Sequence, residues 1–241
     1  MAPQLIIALD FQDADAALRM VKGIGEAGTF YKVGLELFIA EGSKLLSSLT
    51  DMGKKIFLDL KIHDIPNTAA QATLSSLAHG ASIIDLHTQG GVEMMKRSAE
   101  TLTEACVKKG APKPLLVGVT LLTSLDEDHL KKHNIAFGTV REYVLFLAGL
   151  AKSAGLDGVV SSAHETEAIK KVIGSDFITI TPGIRVAGEN ANDQKRVVTP
   201  EDAARLGTDF VVIGRSITGS ANPKGMTEKV LSALQTDKGS F

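Results

Sequence analysis

Asp59, Lys61 and Asp64 interrupt an otherwise apolar stretch, Phe57-Leu-Asp-Leu-Lys-Ile-His-Asp-Ile-Pro-Asn-Thr68. If Ile56 to Lys61 forms a β-strand, side chains two apart share a face, so Asp59 and Lys61 project together and Leu58 and Leu60 project the other way. Opposite charges on one face of a buried strand admit two readings. One is a structural ion pair, in which each charge offsets the cost of taking the other out of water. The other is a catalytic array at the strand's end, where an ammonium beside carboxylates could hold a developing charge, with Asp64 added from the following loop. The stretch alone leaves both open.

Two further stretches point to a ligand. Thr181-Pro-Gly-Ile-Arg185 and Val212-Ile-Gly-Arg-Ser216 each supply a glycine followed closely by an arginine. Glycine lets backbone N–H groups approach an anion, and guanidinium offers a charge-assisted fork to phosphate oxygens. Either motif alone reads equally well as a turn glycine beside an exposed arginine; the pair predicts a phosphate site. The polar segment Ala187-Gly-Glu-Asn-Ala-Asn-Asp-Gln194 between them is long enough to act as a lid over it.

The elements that must carry these residues follow from hydrophobic patterning. Strands are predicted at Leu5–Leu9, Thr29–Val33, Lys55–Leu60, Ser82–Leu86, Leu115–Leu121, Gly158–Ser161, Phe177–Thr181 and Asp209–Ile213. Helical sequence falls between them, at Asp13–Ile24, Leu35–Leu49, a segment capped by Asn67 or Thr68 and running to about Ala78, Val92–Val107, Asp126–Lys132 and Thr139–Ala154. Eight strands alternating with helices, with no linker or low-complexity boundary, predict an α/β fold: a single (β/α)8 TIM barrel over residues 1–241, with a short polar tail from about 235. The rival is a doubly wound open sheet, but Asp10-Phe-Gln-Asp-Ala after the first strand lacks its glycine-rich fingerprint.

A barrel of this kind collects its functional side chains at the C-terminal ends of the strands. Asp10, Lys32, Asp59 with Lys61, His87, Thr120 with Thr123-Ser124, Arg185 and Arg215 all fall there. The balance of 26 basic and 28 acidic residues gives no net-charge case for nucleic acid or an anionic membrane, while a small anionic ligand stays open. A lone cysteine, Cys106, excludes an internal disulfide and a cysteine-cluster zinc site, and fits a reducing cytoplasm. Leu5–Leu9 is too short and lacks the basic start of an export signal, and no apolar run reaches membrane-spanning length.

At these residues the chain resembles orotidine 5′-phosphate decarboxylase of the bacterial single-domain type. The resemblance is carried by Asp59-Leu-Lys61-Ile-His-Asp64-Ile-Pro-Asn-Thr68 with Ala8-Leu-Asp10, Lys32-Val-Gly34, Thr123-Ser-Leu125, Pro182-Gly-Ile-Arg185 and Gly214-Arg215, in the family's order over essentially the whole chain. It implies that Lys61 protonates C6 of the pyrimidine, that Asp59 lies beside the departing carboxylate, and that Lys32 holds Asp59 and the ribose hydroxyls. Asp10 would bind the ribose, Thr123 the pyrimidine edge, and Arg185, Gln194, Gly214 and Arg215 the phosphate. Asp64 and Thr68 would reach a neighbouring subunit's site, which makes the protein a homodimer. The resemblance also implies no cofactor and no metal, and the barrel leaves no room for a fused phosphoribosyltransferase domain.

That chemistry gives the alternating charges a task. Losing CO2 from C6 leaves a carbanion in the ring plane, where no π-system delocalises it, and no pyridoxal, thiamine or metal motif offers an electron sink. Other residues have plainer readings. His63 and His87 read as turn or lining residues, Cys106 as inert in a helix, and His164 with Glu165 and Glu167 lacks the two helical histidines of a His-Glu-x-x-His site. Two rivals share the Asp-x-Lys-x-x-Asp element or the fold: a metal-dependent aldolase or decarboxylase of sugar phosphates, and a non-catalytic nucleotide-binding barrel.

Overall fold

The structure, a computed structural model, describes residues 2–186 and 198–235. Its strands are β1 (Gln4–Ala8), β2 (Phe30–Gly34), β3 (Lys55–Ile62), β4 (Ile83–His87), β5 (Leu115–Val119), β6 (Gly158–Val160), β7 (Ile178–Pro182) and β8 (Phe210–Ile213). They pair in parallel in chain order, and β8 returns to β1, so the sheet closes into an eight-stranded barrel rather than an open sheet. Around it lie α1 (Ala14–Ile24), α2 (Leu35–Glu41), α3 (Ser43–Asp51), α4 (Pro66–Ala78), α5 (Gly91–Lys109), α6 (Glu127–Lys132), α7 (Val140–Ser153), α8 (Ala163–Val172), α9 (Pro200–Arg205), α10 (Arg215–Thr218) and α11 (Pro223–Leu234).

Strand alternation divides the apolar residues between two cores. One face of each strand packs outward against the helices, with Ile7, Val33, Leu58, Ile84 and Leu116 meeting helix residues such as Leu46, Ala69 and Leu102. The other face fills the barrel with Ile6, Phe30, Phe57, Ile83, Val117 and Ile180. Phe30 and Phe210 meet edge to face with centroids 6.0 Å apart. This apolar plug is a solid floor, leaving only the C-terminal end of the barrel open for polar chemistry.

The predicted elements need three corrections. The single helix expected over Leu35–Leu49 is two, because Gly42 takes φ 66 and ends α2, a left-handed conformation that glycine adopts without a Cβ penalty. Neither Asn67 nor Thr68 caps α4: the helix starts at Pro66, whose fixed φ and missing N–H suit the first helical position, after Ile65. The regular strand expected over Lys55–Leu60 continues to Ile62, but its pairing with β4 shifts register between Leu58 and Ile62, and Lys61 has φ 49.

At the opposite end, two aspartates clamp the strand starts. Asp157, just before β6, accepts from Leu116 N at 2.8 Å and Lys113 Nζ at 2.6 Å. Asp209, just before β8, accepts from Thr179 N at 2.7 Å, Thr179 Oγ1 at 3.1 Å and Lys170 Nζ at 2.6 Å. Asp209→Ala strands these donors and is expected to cost about 1–3 kcal/mol in urea denaturation, while leaving the geometry of the opposite face intact.

Candidate active site

The β2–β3 pairing sets Gly34 beside Asp59 and Lys32 beside Phe57. Lys32 and Asp59 therefore emerge from neighbouring strands at the barrel mouth, and their ion pair measures 3.4 Å. Asp59 uses its other oxygen, Oδ1, to contact Lys61 Nζ. The predicted meeting of Asp59 and Lys61 thus occurs, through a bulged turn of the strand rather than simple alternation. Lys32 also pairs with Asp10 Oδ1 at 3.1 Å, so the order across the mouth is Asp10, Lys32, Asp59, Lys61. Lys61, its side chain 32% exposed against 12% for Lys32 and 13% for Asp59, is the most accessible of the inner three.

Burial and charge act against one another here. Burial works against the Lys32 ammonium, but the carboxylates of Asp59 and Asp10 outweigh it and hold its pKa above that of an ordinary lysine. Burial likewise works against the Asp59 carboxylate, yet a hydrogen bond with Asp85 and the ammonium groups of Lys32 and Lys61 hold its pKa below the usual range. Asp85, wholly buried in β4, goes the other way: burial and the neighbouring Asp59 raise its pKa well above the usual range. Its Oδ1 accepts the Lys61 backbone N–H at 2.8 Å.

Two adjoining cavities open at this mouth. The deeper, of about 250 Å³, is walled by Lys32, Asp59 and Lys61 on one side, by apolar Val119, Leu121 and Val160 on another, and by Thr123, Ser124 and Ser161. The outer, of about 100 Å³, is lined by Asp10, Gly183, Arg185, Gly214, Arg215 and Ser216. Asp10 lines one and Lys32 the other, so their ion pair joins the two. The backbone at Gly214 lies close to Asp10: a Cβ there would stand 3.3 Å from Asp10 Oδ2 and 3.4 Å from the Ala8 Cβ. A charged, partly apolar chamber beside an arginine-lined one suits a small molecule with an anionic tail.

The structure therefore gathers Asp10, Lys32, Asp59, Lys61, Thr123, Arg185, Gly214 and Arg215 at one mouth. Asp64 and Thr68 line neither cavity of their own chain. Both are exposed, and Asp64 Oδ1 accepts from Ile65 N at 2.7 Å. Gln194 and the expected lid lie outside the described residues. Thr120 is absorbed structurally, its hydroxyl donating to Val160 O at 2.9 Å, and His63 stacks on His87 with centroids 5.4 Å apart. Among the described residues no His, Cys, Asp or Glu group of three or more is disposed to hold a metal, and no helix is long and apolar enough to cross a membrane.

Sequence reasoning missed Ser161, which lines the deep cavity with a buried hydroxyl, and Asp85. The signal for Asp85 was available: it shares parity with Ile83, a barrel-interior residue, so a charge there had to face the barrel.

The Orotidine 5′-phosphate decarboxylase / HUMPS family model matches residues 3–230. The chain belongs to that family. It is 46% identical to the orotidine 5′-phosphate decarboxylase of Legionella pneumophila (strain Corby) over 98% of this chain and 100% of the relative. It is 42% identical to that of Carboxydothermus hydrogenoformans over 98% of this chain and 97% of the relative. The crystal structure of orotidine 5′-phosphate decarboxylase from Lactobacillus acidophilus superimposes with a TM-score of 0.85 at 34% identity, covering 98% of this chain and 100% of that one.

Because the folded-state pKa of Lys32 is raised, the stability this residue supplies at the barrel mouth is fully present at neutral pH. It is lost only as pH rises above about 10.4 and through the folded pKa. The urea midpoint of the protein is expected to exceed that of Lys32→Met at neutral pH, with the gap closing above about pH 10.4.

Proposed function

We propose that this protein is a cofactor-free orotidine 5′-phosphate decarboxylase, converting orotidine 5′-monophosphate to uridine 5′-monophosphate and CO2 in pyrimidine biosynthesis. The observation that carries the reading is the run Asp10–Lys32–Asp59–Lys61 leading from an arginine-lined pocket into a closed-floored chamber. The names of relatives at 42–46% identity support the same activity.

In this reading Arg185, Arg215, the backbone at Gly214, and Gln194 hold the 5′-phosphate. Asp10 and Lys32 bind the ribose, and Thr123 meets the pyrimidine edge in the deep cavity. The C6–carboxylate bond breaks with its electron pair left on C6. CO2 departs past Asp59, and the Lys61 ammonium gives its proton to C6 and is reprotonated from solvent. An ammonium about 4 Å from the developing charge contributes on the order of 4 kcal/mol at an effective dielectric near 20. Enzymatic barrier lowering reaches about 23 kcal/mol in ordinary cases, so Lys61 alone is insufficient. Binding energy from the distant phosphate must fix the ring against the array. Asp59 acts by repelling the substrate carboxylate and by aiming Lys61, and the second effect is the better supported by its direct contact with the lysine.

The protein works as a cytoplasmic homodimer, in one domain along the chain, and Asp64 and Thr68 complete the partner's site. Their exposure beside the exposed Ile65, outside their own chain's cavities, supports that role. The sugar-phosphate reading, with a required metal, is disfavoured by the uniform naming of the relatives above.

Purified protein treated with a chelator is expected to consume orotidine 5′-monophosphate, followed by loss of its absorbance, as fast as untreated protein. Activity abolished by the chelator and restored by a divalent cation would favour the sugar-phosphate rival. Lys61→Ala is expected to lower kcat at least about 1,000-fold, the rate equivalent of about 4 kcal/mol, with little loss of uridine 5′-monophosphate binding. Mixing inactive Lys61→Ala and Asp64→Asn chains tests the composite site. Random dimers should recover about a quarter of wild-type activity, since half the dimers then hold one intact site; no recovery would mean that each chain builds its site alone.

A further inference from the structure

Asp85 shares the face of β4 that looks into the barrel with Ile83, and is completely buried without lining the cavity. Its Oδ1 accepts the backbone N–H of Lys61 where the β3–β4 ladder slips, and so stands in for a missing strand partner of a residue at φ 49. A non-glycine residue in that left-handed conformation is strained and needs such support. Oδ2 finds no donor among the described residues, and the Asp59 carboxyl is its charged neighbour from β3. Two neighbouring buried carboxylates resist joint ionisation, and one proton placed between them would satisfy the buried oxygen.

The neighbours decide which acid keeps that proton. Asp59 faces two ammonium groups, Lys32 from β2 and Lys61 from its own strand. Asp85 faces Asp59 and Lys61 from β3, while its pairing partner on β5 is the uncharged Val117 and His87 lies two residues on towards the mouth. Burial and the Asp59 charge favour the neutral form of Asp85.

We infer that Asp85 is a positioning residue that works as a neutral carboxylic acid, its carbonyl oxygen accepting from Lys61 N and its hydroxyl donating to Asp59. One side chain then fixes both the backbone of the lysine and the carboxylate that aims its ammonium. Neutrality also matters for rate, because a second negative charge beside Asp59 would oppose a carbanion forming over Lys61. The kinetic part of this inference rests on the decarboxylase reading; the protonation state does not.

Asparagine reproduces one acceptor and one donor in the same shape, whereas leucine supplies neither. With wild-type protein consuming orotidine 5′-monophosphate, Asp85→Asn is expected to keep kcat within about 3-fold. Asp85→Leu is expected to lose about 10–100-fold in kcat, the scale typical of supporting hydrogen bonds at a site, with a smaller change in KM. The infrared spectrum of wild-type protein near neutral pH should contain a protonated-carboxyl C=O stretch that is absent from Asp85→Asn. Because folding raises the pKa of Asp85, wild-type stability declines as pH rises above the unfolded value of about 3.9. The Tm of Asp85→Asn should therefore gain on wild type from about pH 5 to about pH 8. The inference is overturned if Asp85→Asn is as slow as Asp85→Leu, if the infrared band is missing, or if the Tm gap stays flat. If wild-type protein fails to consume the substrate, the decarboxylase reading falls, and the band and the Tm gap still decide the state of Asp85.

Discussion

The site depends on one electrostatic arrangement: a nearly buried carboxylate, Asp59, held between the ammonium groups of Lys32 and Lys61. Alone, neither Asp59 nor Lys32 could remain charged at so low an exposure without a large penalty. Together the three form an ion cluster at the mouth of a barrel whose interior is filled mainly by apolar side chains. The parallel register of β2 and β3 supplies the spacing, and the slip between β3 and β4 turns Lys61 so that its ammonium meets Asp59 rather than continuing the ladder. An ion cluster held this way can also serve as a preorganised field, so the structural and catalytic readings of the Asp-x-Lys pattern are compatible.

The second physical theme is division of labour. In the proposed reading, phosphate recognition falls to strands seven and eight, where Arg185 and Arg215 line a small polar pocket, and the reacting end falls to strands two and three. Asp10, paired with Lys32, sits where the two meet. A ligand spanning both chambers can apply binding energy gained at its tail to orientation at its ring. The aspartate clamps at the strand starts and the aromatic floor keep the opposite end rigid without intruding on the chemistry.

Much of this was legible in the sequence because its signals are local. The eight apolar runs, the glycine–arginine turns and the charges at strand ends each follow from spacing within a few residues, and closure of the barrel brought them to one mouth. What was not legible depends on non-local pairing. The bulge in β3 is a mismatch with β4 and leaves no mark within β3 itself. The break at Gly42 turned on a backbone angle that an otherwise continuous helical pattern concealed, and the start of α4 was set by Pro66 where the polar Asn67 and Thr68 suggested a cap. Asp85 could be placed on the barrel-facing side by its parity with Ile83, but its nearness to Asp59 depends on the pairing of β4 with β3 and was not legible.

The central claim is that one ligand spans both chambers with its reacting carbon against Lys61. A crystal structure with a pyrimidine nucleoside 5′-monophosphate bound tests it most directly. The account predicts the phosphate between Arg185 and Arg215, C6 beside Lys61 Nζ, and Asp64 of a second protomer approaching the same ring. A phosphate seated in the deep cavity, or a ring with C6 turned away from Lys61, would contradict it.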